Sequence, residues 1–235
     1  MAFQEWEELP MFMRTEEVRP YYDRLKKKKA EILIKRVFDL GASAVLCAAL
    51  LPVFAALSVL VAADSRGGVL YRQERVTQYG RRFRILKFRT MTAGADKAGP
   101  QVTVGEDKRI TRSGRFLRKY RLDELPQLVN ILKGDMTFVG TRPEVPRYVK
   151  EYTPEMAATL LLPAGVTSVA SVRYKDEAKL LAGSGDPDRT YVERILPGKM
   201  AYNLKSLETF GIWEDVKVMA LTVREVFGRG DKTDR

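Results

Sequence analysis

Hydrophobic and polar residues follow different rhythms in different parts of this chain, and the most prominent stretch has no rhythm. From Leu40 to Ala63 (LGASAVLCAALLPVFAALSVLVAA) no charged residue occurs. A bilayer crossing takes about 20 apolar residues, so the run is long enough for a transmembrane helix, with a buried core helix as the alternative. It begins too far from Met1, and lacks the small-residue cleavage site, for a signal peptide. Pro52 stands near its middle, where it removes a backbone donor and bends or breaks a helix. Each half then measures about 18 Å at about 1.5 Å per residue, short of the ~30 Å hydrocarbon core. Carbonyls freed near Pro52 need other donors, for which Ser43 and Ser58 are candidates.

Elsewhere the period changes. Phe83 and Ile85 alternate with Arg82 and Arg84, which predicts a strand pair over 69–75 and 82–91 turned at Gln78-Tyr79-Gly80. Arg112, Arg115, Arg118 and Arg121 recur every third residue and share one drifting face where the segment is helical. Pro126 suits the first turn of a helix running through Leu132. Pro154 and Glu155, behind Thr153, start another that ends near Pro163. Residues 92–107 and 183–187 read as loops. Phe210, Trp213, Val216, Ala220, Val223 and Phe227 recur at helical spacing, as a core or interface face, with Phe210 and Trp213 suited to lipid headgroups as well.

Charge changes the reading of the apolar run. Lys26, Lys27, Lys28, Lys29, Lys35 and Arg36 precede it; Arg66, Arg72, Arg75, Arg81, Arg82 and Arg84 follow it. Positive residues favour the cytoplasmic side, and a single crossing cannot put both flanks there. A helix that enters, breaks at Leu51-Pro52 and returns to the same face satisfies charge and length together. The lysine run suits an anionic lipid surface, at about 1 kcal/mol per charge, or a plain solvated face. The expected organisation is a polar and basic extension (1–30), a re-entrant membrane helix (31–66), a cytosolic catalytic domain (67–228) and a polar tail (229–235). The fold class is α+β, mainly helical: a re-entrant membrane helix hairpin with a small cytosolic domain containing a short β-hairpin and amphipathic interfacial helices.

Composition narrows the chemistry. Lys plus Arg is 41 against 30 for Asp plus Glu, a net charge of +11 that points to an anionic partner. Histidine is absent and Cys47 is the single cysteine. That excludes Ser-His and Cys-His dyads, histidine metal sites and a disulfide framework. Carboxylates, Lys/Arg and a hard metal such as Mg²⁺ remain.

These groups concentrate around RLDELPQLVN (121–130), where Asp123 and Glu124 sit inside an apolar frame. One reading is structural: Asp123 N-caps the helix that follows and Glu124 favours its dipole. The other is chemical. A helix start beside several guanidiniums is an anion site, and an Asp there serves as nucleophile or Mg²⁺ ligand. KFRTM (87–91) adds Lys87 and Arg89, and GTRPEVP (140–146) adds Arg142 as a phosphate clamp. Arg115 and Arg118 complete the expected phosphate-binding set.

KRVFDL, YRQERV, KFRTM, RITRSGRFLRKYRLDELPQLVNILKGDMTFVGTRPE and WEDVKVM together resemble the bacterial sugar transferases, the monotopic phosphoglycosyl transferases, over roughly residues 31–228. The resemblance implies an enzyme of the bacterial inner membrane with its catalytic domain on the cytoplasmic face. It implies transfer of a sugar-1-phosphate from a UDP-sugar to polyprenyl (undecaprenyl) phosphate, with release of UMP, as the first step of a cell-surface glycan such as exopolysaccharide. By that likeness Asp123 is the nucleophile that forms an aspartyl phosphosugar. Glu124 is its partner, holding Mg²⁺ with Asp123 or deprotonating the acceptor. Lys87, Arg118 and Arg142 match basic residues near the phosphates. No nucleic-acid partner is expected, and a homodimer is allowed for without any motif that demands it.

The chain departs from the family pattern in three places. Gly140-Thr141-Arg142-Pro143 stands for Gly-Pro-Arg-Pro, and Leu162-Pro163-Ala164-Gly165-Val166-Thr167-Ser168 for Lys-Pro-Gly-(Ile/Val)-Thr-Gly. Asn203 replaces an aspartate, which puts a metal or substrate role there in doubt, with Asp176 and Glu177 as nearby acids. The competing classes are a non-catalytic membrane scaffold and a tethered protein that holds anionic lipid or nucleic acid. The binding protein leaves the Asp-Glu pair and the GTRPE turn unexplained, and Asn203 is the only sequence feature in favour of the scaffold.

Overall fold

The structure is a computed structural model that describes residues 3–92, 94–95, 107–181 and 184–227. The loops expected over 92–107 and 183–187 fall partly outside the described residues, and the 229–235 tail wholly so. The bent helix pair comes early in the chain. Helix α1 (Arg19–Lys26) leads into α2 (Lys29–Ala49) and α3 (Leu51–Asp64). Neither long helix is long and apolar enough to cross a membrane alone, but the pair together is, with a bend of 63° between them. Pro52 occupies the first turn of α3, where its missing donor leaves nothing unpaired. The Leu50 N–H answers the carbonyls of Leu46 and Ala48 at the break. Ser43 and Ser58 do not serve there as expected. Their hydroxyls bond within their own helices, Ser43 to the Asp39 carbonyl at 2.5 Å and Ser58 to Phe54 at 2.7 Å, the nearest acceptors one turn back.

A buried core helix would hide its apolar side chains; this pair displays them. Leu33, Val37, Val45, Leu51 and Val59 are all more than half exposed. Four residues of the pair are buried: Asp39 and Ser43 on α2, Leu57 and Val61 on α3. So large a run of exposed apolar surface is an interaction face.

Both ends of the pair are fixed to the same domain. At the entry, Arg36 donates to the Ile131 carbonyl at 2.8 Å and Lys35 pairs with Asp215. Buried Asp39 accepts from Thr137 Oγ1 at 2.6 Å and the Phe138 N–H at 3.2 Å. At the exit, Asp64 accepts from the Ser113 N–H at 2.8 Å and its hydroxyl at 2.7 Å. Arg89 lies there too, donating to the carbonyls of Val61 (3.4 Å), Ser65 (2.5 Å) and Arg66 (3.1 Å) and to Ser65 Oγ (2.9 Å). It closes the C-terminal end of α3, where a cation complements the helix dipole. Arg89→Met is therefore expected to lower stability by about 2 kcal/mol, the scale of hydrogen bonds to a charged group. Thermal unfolding in detergent checks this; an unchanged midpoint would contradict it.

Strands β1 (Leu70–Val76) and β2 (Arg82–Phe88) form the expected antiparallel hairpin, from Leu70 opposite Phe88 to Val76 opposite Arg82. Phe83 and Ile85 point inward onto Leu128 and Ile131 of α5 (Gln127–Lys133) and onto Met136. Tyr79 (φ 58°) and Gly80 (φ 74°) make the left-handed turn. A second, parallel pair, β3 (Met136–Val139) with β4 (Ala164–Thr167), was not foreshadowed, because four-residue strands carry too little periodicity. Its edge admits only glycine: a Cβ on Gly165 would lie 2.2 Å from the Gly140 backbone.

The predicted helix after Thr153 is a short 3₁₀ stretch, Glu155–Leu161. After it come α7 (Val169–Arg173), α8 (Glu177–Leu181), α9 (Pro187–Thr190), a π-turn at Tyr191–Ile195, α10 (Leu196–Glu208) and α11 (Ile212–Phe227). Between β2 and α5 lies α4 (Arg112–Lys119), and after β3 the short α6 (Pro146–Val149). The N-terminal residues supply core: Leu9, Met13, Val18, Tyr22 and Leu25 are buried against Val76, Ala158, Leu161 and Leu207. Lys26 and Lys29 are both held by Glu5, at 2.9 and 2.6 Å, and Lys28 donates to the Phe210 carbonyl. The C-terminal stripe is not a core face. Trp213 is 79% exposed and Val216 and Val223 are exposed, while Phe210 and Val218 turn inward. An interface role is what remains for it.

Candidate active site

The apolar frame around the acid pair is a floor. Leu122 and Leu125 pack with Leu57 and Val61 of α3, Phe88 and Leu117, which fixes the Leu122–Glu124 turn on the end of the bent pair. From the other side α4 approaches the segment just after β2 very closely. A Cβ on Gly114 would sit 2.1 Å from the Thr90 carbonyl oxygen, and Arg118 Nε donates to Thr90 Oγ1 at 2.9 Å. Thr111 caps α4 by accepting from the Gly114 N–H. Between α4 and the turn, Arg121 takes a left-handed conformation with φ 58°. Such strain costs about 1–3 kcal/mol and concentrates at functional sites. Asp123 does not cap the next helix: α5 begins at Gln127, with Pro126 before it and no side-chain cap.

The two carboxylates are placed oppositely. Glu124 is clamped: both Arg142 guanidinium nitrogens reach it, one at 3.1 Å, and Lys87 donates at 3.3 Å. Arg121 stands 3.9 Å away. Burial alone would raise the Glu124 carboxyl, but Arg142, Lys87 and Arg121 outweigh it and hold it well below the usual carboxylate range. Asp123, also buried, receives no hydrogen bond among the described residues. Burial pushes its carboxyl upward, against the pull of Lys87, Arg118 and Arg142 and with the Glu124 charge adding to the rise. Burial likewise lowers the Lys87 ammonium, opposed by Glu124. A carboxylate held as low as Glu124 is a weak base. The open, desolvated one is Asp123.

Both open onto a cleft of about 490 Å³. Lys87, Arg118 and Arg142 line it as expected, joined by Arg75, Arg109 and Arg121. Two expected phosphate ligands have their guanidiniums engaged elsewhere, Arg89 on the cleft wall and Arg115 outside it. Arg89 touches the wall with its guanidinium committed to α3, and Arg115 donates to the Ile110 carbonyl at 3.4 Å on the surface. Asn203 is elsewhere, lining a separate cavity of about 100 Å³ with Gln78 and Asp215. Glu144, Glu177, Tyr191 and Lys199 meet at one end of it; Glu177 is one of the two acids considered beside Asn203, while Tyr191 and Lys199 have no sequence signal of their own. Only Glu144 stands in a motif, two residues after Arg142.

Among the described residues no three acids, histidines or cysteines are grouped as metal ligands. Mg²⁺ nevertheless takes one or two carboxylates with substrate phosphates completing its octahedron. The donor set fits that mode, with Asp123 as the open ligand and Glu124 beside it.

Known proteins share this layout in sequence. A family model described as bacterial sugar transferase matches residues 30–229, covering both the bent helix pair and the cleft. A putative undecaprenyl-phosphate N-acetylgalactosaminyl 1-phosphate transferase of Bacillus subtilis is 41% identical over 56% of this chain and 74% of its own length. A UDP-glucose:undecaprenyl-phosphate glucose-1-phosphate transferase of Caulobacter vibrioides is 36% identical over 81% of this chain and 68% of its own. The undecaprenyl-phosphate glucose phosphotransferase of Komagataeibacter xylinus is 34% identical over 85% of this chain, which spans only 37% of that relative. The named sugars differ between relatives, so the likeness selects none.

Proposed function

The chain belongs to the bacterial sugar transferase family, and from that premise we propose that it moves a sugar-1-phosphate from a UDP-sugar to undecaprenyl phosphate. The observation that carries this reading is Asp123: a buried carboxylate that no described residue donates a hydrogen bond to, facing a cleft lined by Lys87, Arg118 and Arg142. Phosphoryl transfer asks chiefly for positioning and charge neutralisation, which these groups supply without histidine.

In the proposed reaction an Asp123 carboxylate oxygen attacks the sugar-linked phosphorus of the donor. The bond from that phosphorus to the bridging oxygen breaks, and UMP leaves with the oxygen. A phosphate oxygen of undecaprenyl phosphate then attacks the aspartyl phosphosugar, and the Asp123 carboxylate leaves. Arg142 and Lys87 orient Glu124 and present positive charge to the diphosphate. Arg118, anchored on Thr90, does the same from α4. Bound Mg²⁺, held by Asp123 and Glu124, would offset the diphosphate charge.

The bent pair is proposed as a re-entrant anchor in the cytoplasmic leaflet. Its two ends are tied to one domain, and α3 measures about 21 Å at about 1.5 Å per residue, short of a crossing. The Asp-Glu turn rests on its exit end, which suits an acceptor whose phosphate lies at headgroup level. Cysteines placed singly at Lys29 and Arg66 are expected to react with an impermeant thiol reagent from the cytoplasmic side alone. Labelling of the two from opposite sides would refute re-entry.

The reaction itself is tested by UMP release from the full chain in detergent, with undecaprenyl phosphate, Mg²⁺ and UDP-glucose, UDP-galactose or their N-acetylated forms. Release with at least one donor, dependent on Asp123, is the expected result.

A further inference from the structure

One end of the cleft is built of side chains that the phosphate chemistry leaves unused. Lys199, on α10, is buried on the cleft wall. Its ammonium donates to Tyr191 Oη at 2.7 Å, Glu177 Oε2 at 3.1 Å and Glu144 Oε1 at 3.3 Å. All three of its donors are therefore engaged. Tyr191 in turn donates to Glu144 Oε1 at 2.5 Å, and Arg75 stands 3.9 Å from the other Glu144 oxygen. Tyr191 opens the π-turn that joins α9 to α10, a distortion that re-aims side chains and recurs at functional sites. Pro197 lies just beyond it and lacks the N–H that a regular helix would use.

A buried ion-pair cluster is weak as a stabilising device, because desolvation offsets most of the attraction. This one has a single atom left over. Glu177 is bound through Oε2 alone; among the described residues Oε1 has no partner, and the side chain is 29% exposed on the cleft lining. At this end of a cleft whose other wall carries Lys87, Arg118 and Arg142, an unpaired carboxylate oxygen repels phosphate. A fixed acceptor accepts from neutral donors, and in a nucleotide sugar those are hydroxyls and N–H groups.

We propose that Glu177, held in place by Lys199, is the acceptor that reads hydroxyl or amide N–H groups on the hexose of the donor, with Lys199 as its positioning residue. This rests on the transferase reading above and adds the subsite that selects the sugar. A hydrogen-bonding site discriminates strongly because an analogue that lacks the donor leaves the site's own group unpaired.

The test compares wild type, Glu177→Gln, Glu177→Ala and Lys199→Met on UDP-sugar and UMP together. UMP carries the ribose and the phosphate but no hexose. The expected result is about 10- to 100-fold weaker binding of the preferred UDP-sugar by both Glu177 variants, the scale of a charge-assisted hydrogen bond, with UMP affinity unchanged. Lys199→Met is expected to raise KM for the sugar donor more than it lowers kcat, because Glu177 loses its fixed orientation. UDP-sugar and UMP weakened alike would place the contact on the ribose or the fold and overturn the proposal. So would an unchanged ranking of the four UDP-sugars in both Glu177 variants. If wild type itself releases no UMP from any donor, the transferase reading falls and this one with it; release by wild type with unaltered sugar preference in the variants overturns this inference alone.

Discussion

Asp123→Asn is expected to release no UMP from any UDP-sugar, a loss of at least about 10³-fold, while binding detergent and unfolding like the wild type. The substitution keeps the size and the burial of the side chain but removes the open carboxylate that lies among Lys87, Arg118 and Arg142, and an amide is a poor nucleophile. Folding is spared because Asp123 accepts no hydrogen bond among the described residues, and a buried neutral amide avoids the desolvation that raises the aspartate. The same shift fixes the pH behaviour. Attack needs the ionised form, and burial raises the Asp123 carboxyl, so adduct formation in the wild type is expected to start falling at a higher pH than an ordinary aspartate would set. A wild-type rate that stays flat into the ordinary aspartate range would contradict this, as would UMP release by Asp123→Asn.

Arg142→Ala is expected to harm both fold and turnover. It takes the bidentate partner from Glu124, which stays buried beside Lys87, with Arg121 3.9 Å away. Breaking a buried pair on one side costs about 3–5 kcal/mol, and the surviving Lys87 contact puts the loss near the lower limit, about 3 kcal/mol. The pH dependence has a definite sign. The Glu124 carboxyl is depressed in the folded protein, so its stabilising contribution is full above the unfolded value of 4.5 and disappears as pH falls towards the folded one. The gap in stability between wild type and Arg142→Ala therefore narrows below pH 4.5, where the unfolded chain takes up the proton. Glu124→Gln, which removes the charge together with its need for a partner, should destabilise less than Arg142→Ala. Chemical denaturation across pH 4–8 tests the set; a gap that widens at low pH would count against the clamp.

What the sequence makes legible is what is local. A charge-free run with a central proline specifies a helix pair bent at that proline. Adjacent Asp123 and Glu124 beside Lys87, Arg118 and Arg142 mark the cleft. Long-range contacts are not legible. The Arg142–Glu124 clamp joins residues 18 apart, and Lys199 meets Glu144 across 55. Nothing in the spacing shows that Arg89 closes α3 while Lys87, two residues earlier, faces the acid pair. The helical stripe from Phe210 to Val223 is real as a period, yet past Phe210 its Trp213, Val216 and Val223 face outward, because a hydrophobic stripe signals an apolar neighbour without saying whether that neighbour is this chain's own core. The N-terminal segment hides its role in the same way: Leu9, Met13 and Tyr22 are scattered among charges, and only the fold brings them together.

The central claim is that Asp123 carries the sugar phosphate between donor and lipid. Its most direct test is the intact mass of the full-length protein after mixing with a UDP-sugar and Mg²⁺ in the absence of undecaprenyl phosphate. The expected result is a gain equal to one sugar phosphate, mapped by peptide fragmentation to Asp123, absent in Asp123→Asn and discharged when undecaprenyl phosphate is added. Steady UMP release that requires undecaprenyl phosphate, with no adduct at any time, would mean direct transfer between the two substrates and would contradict it.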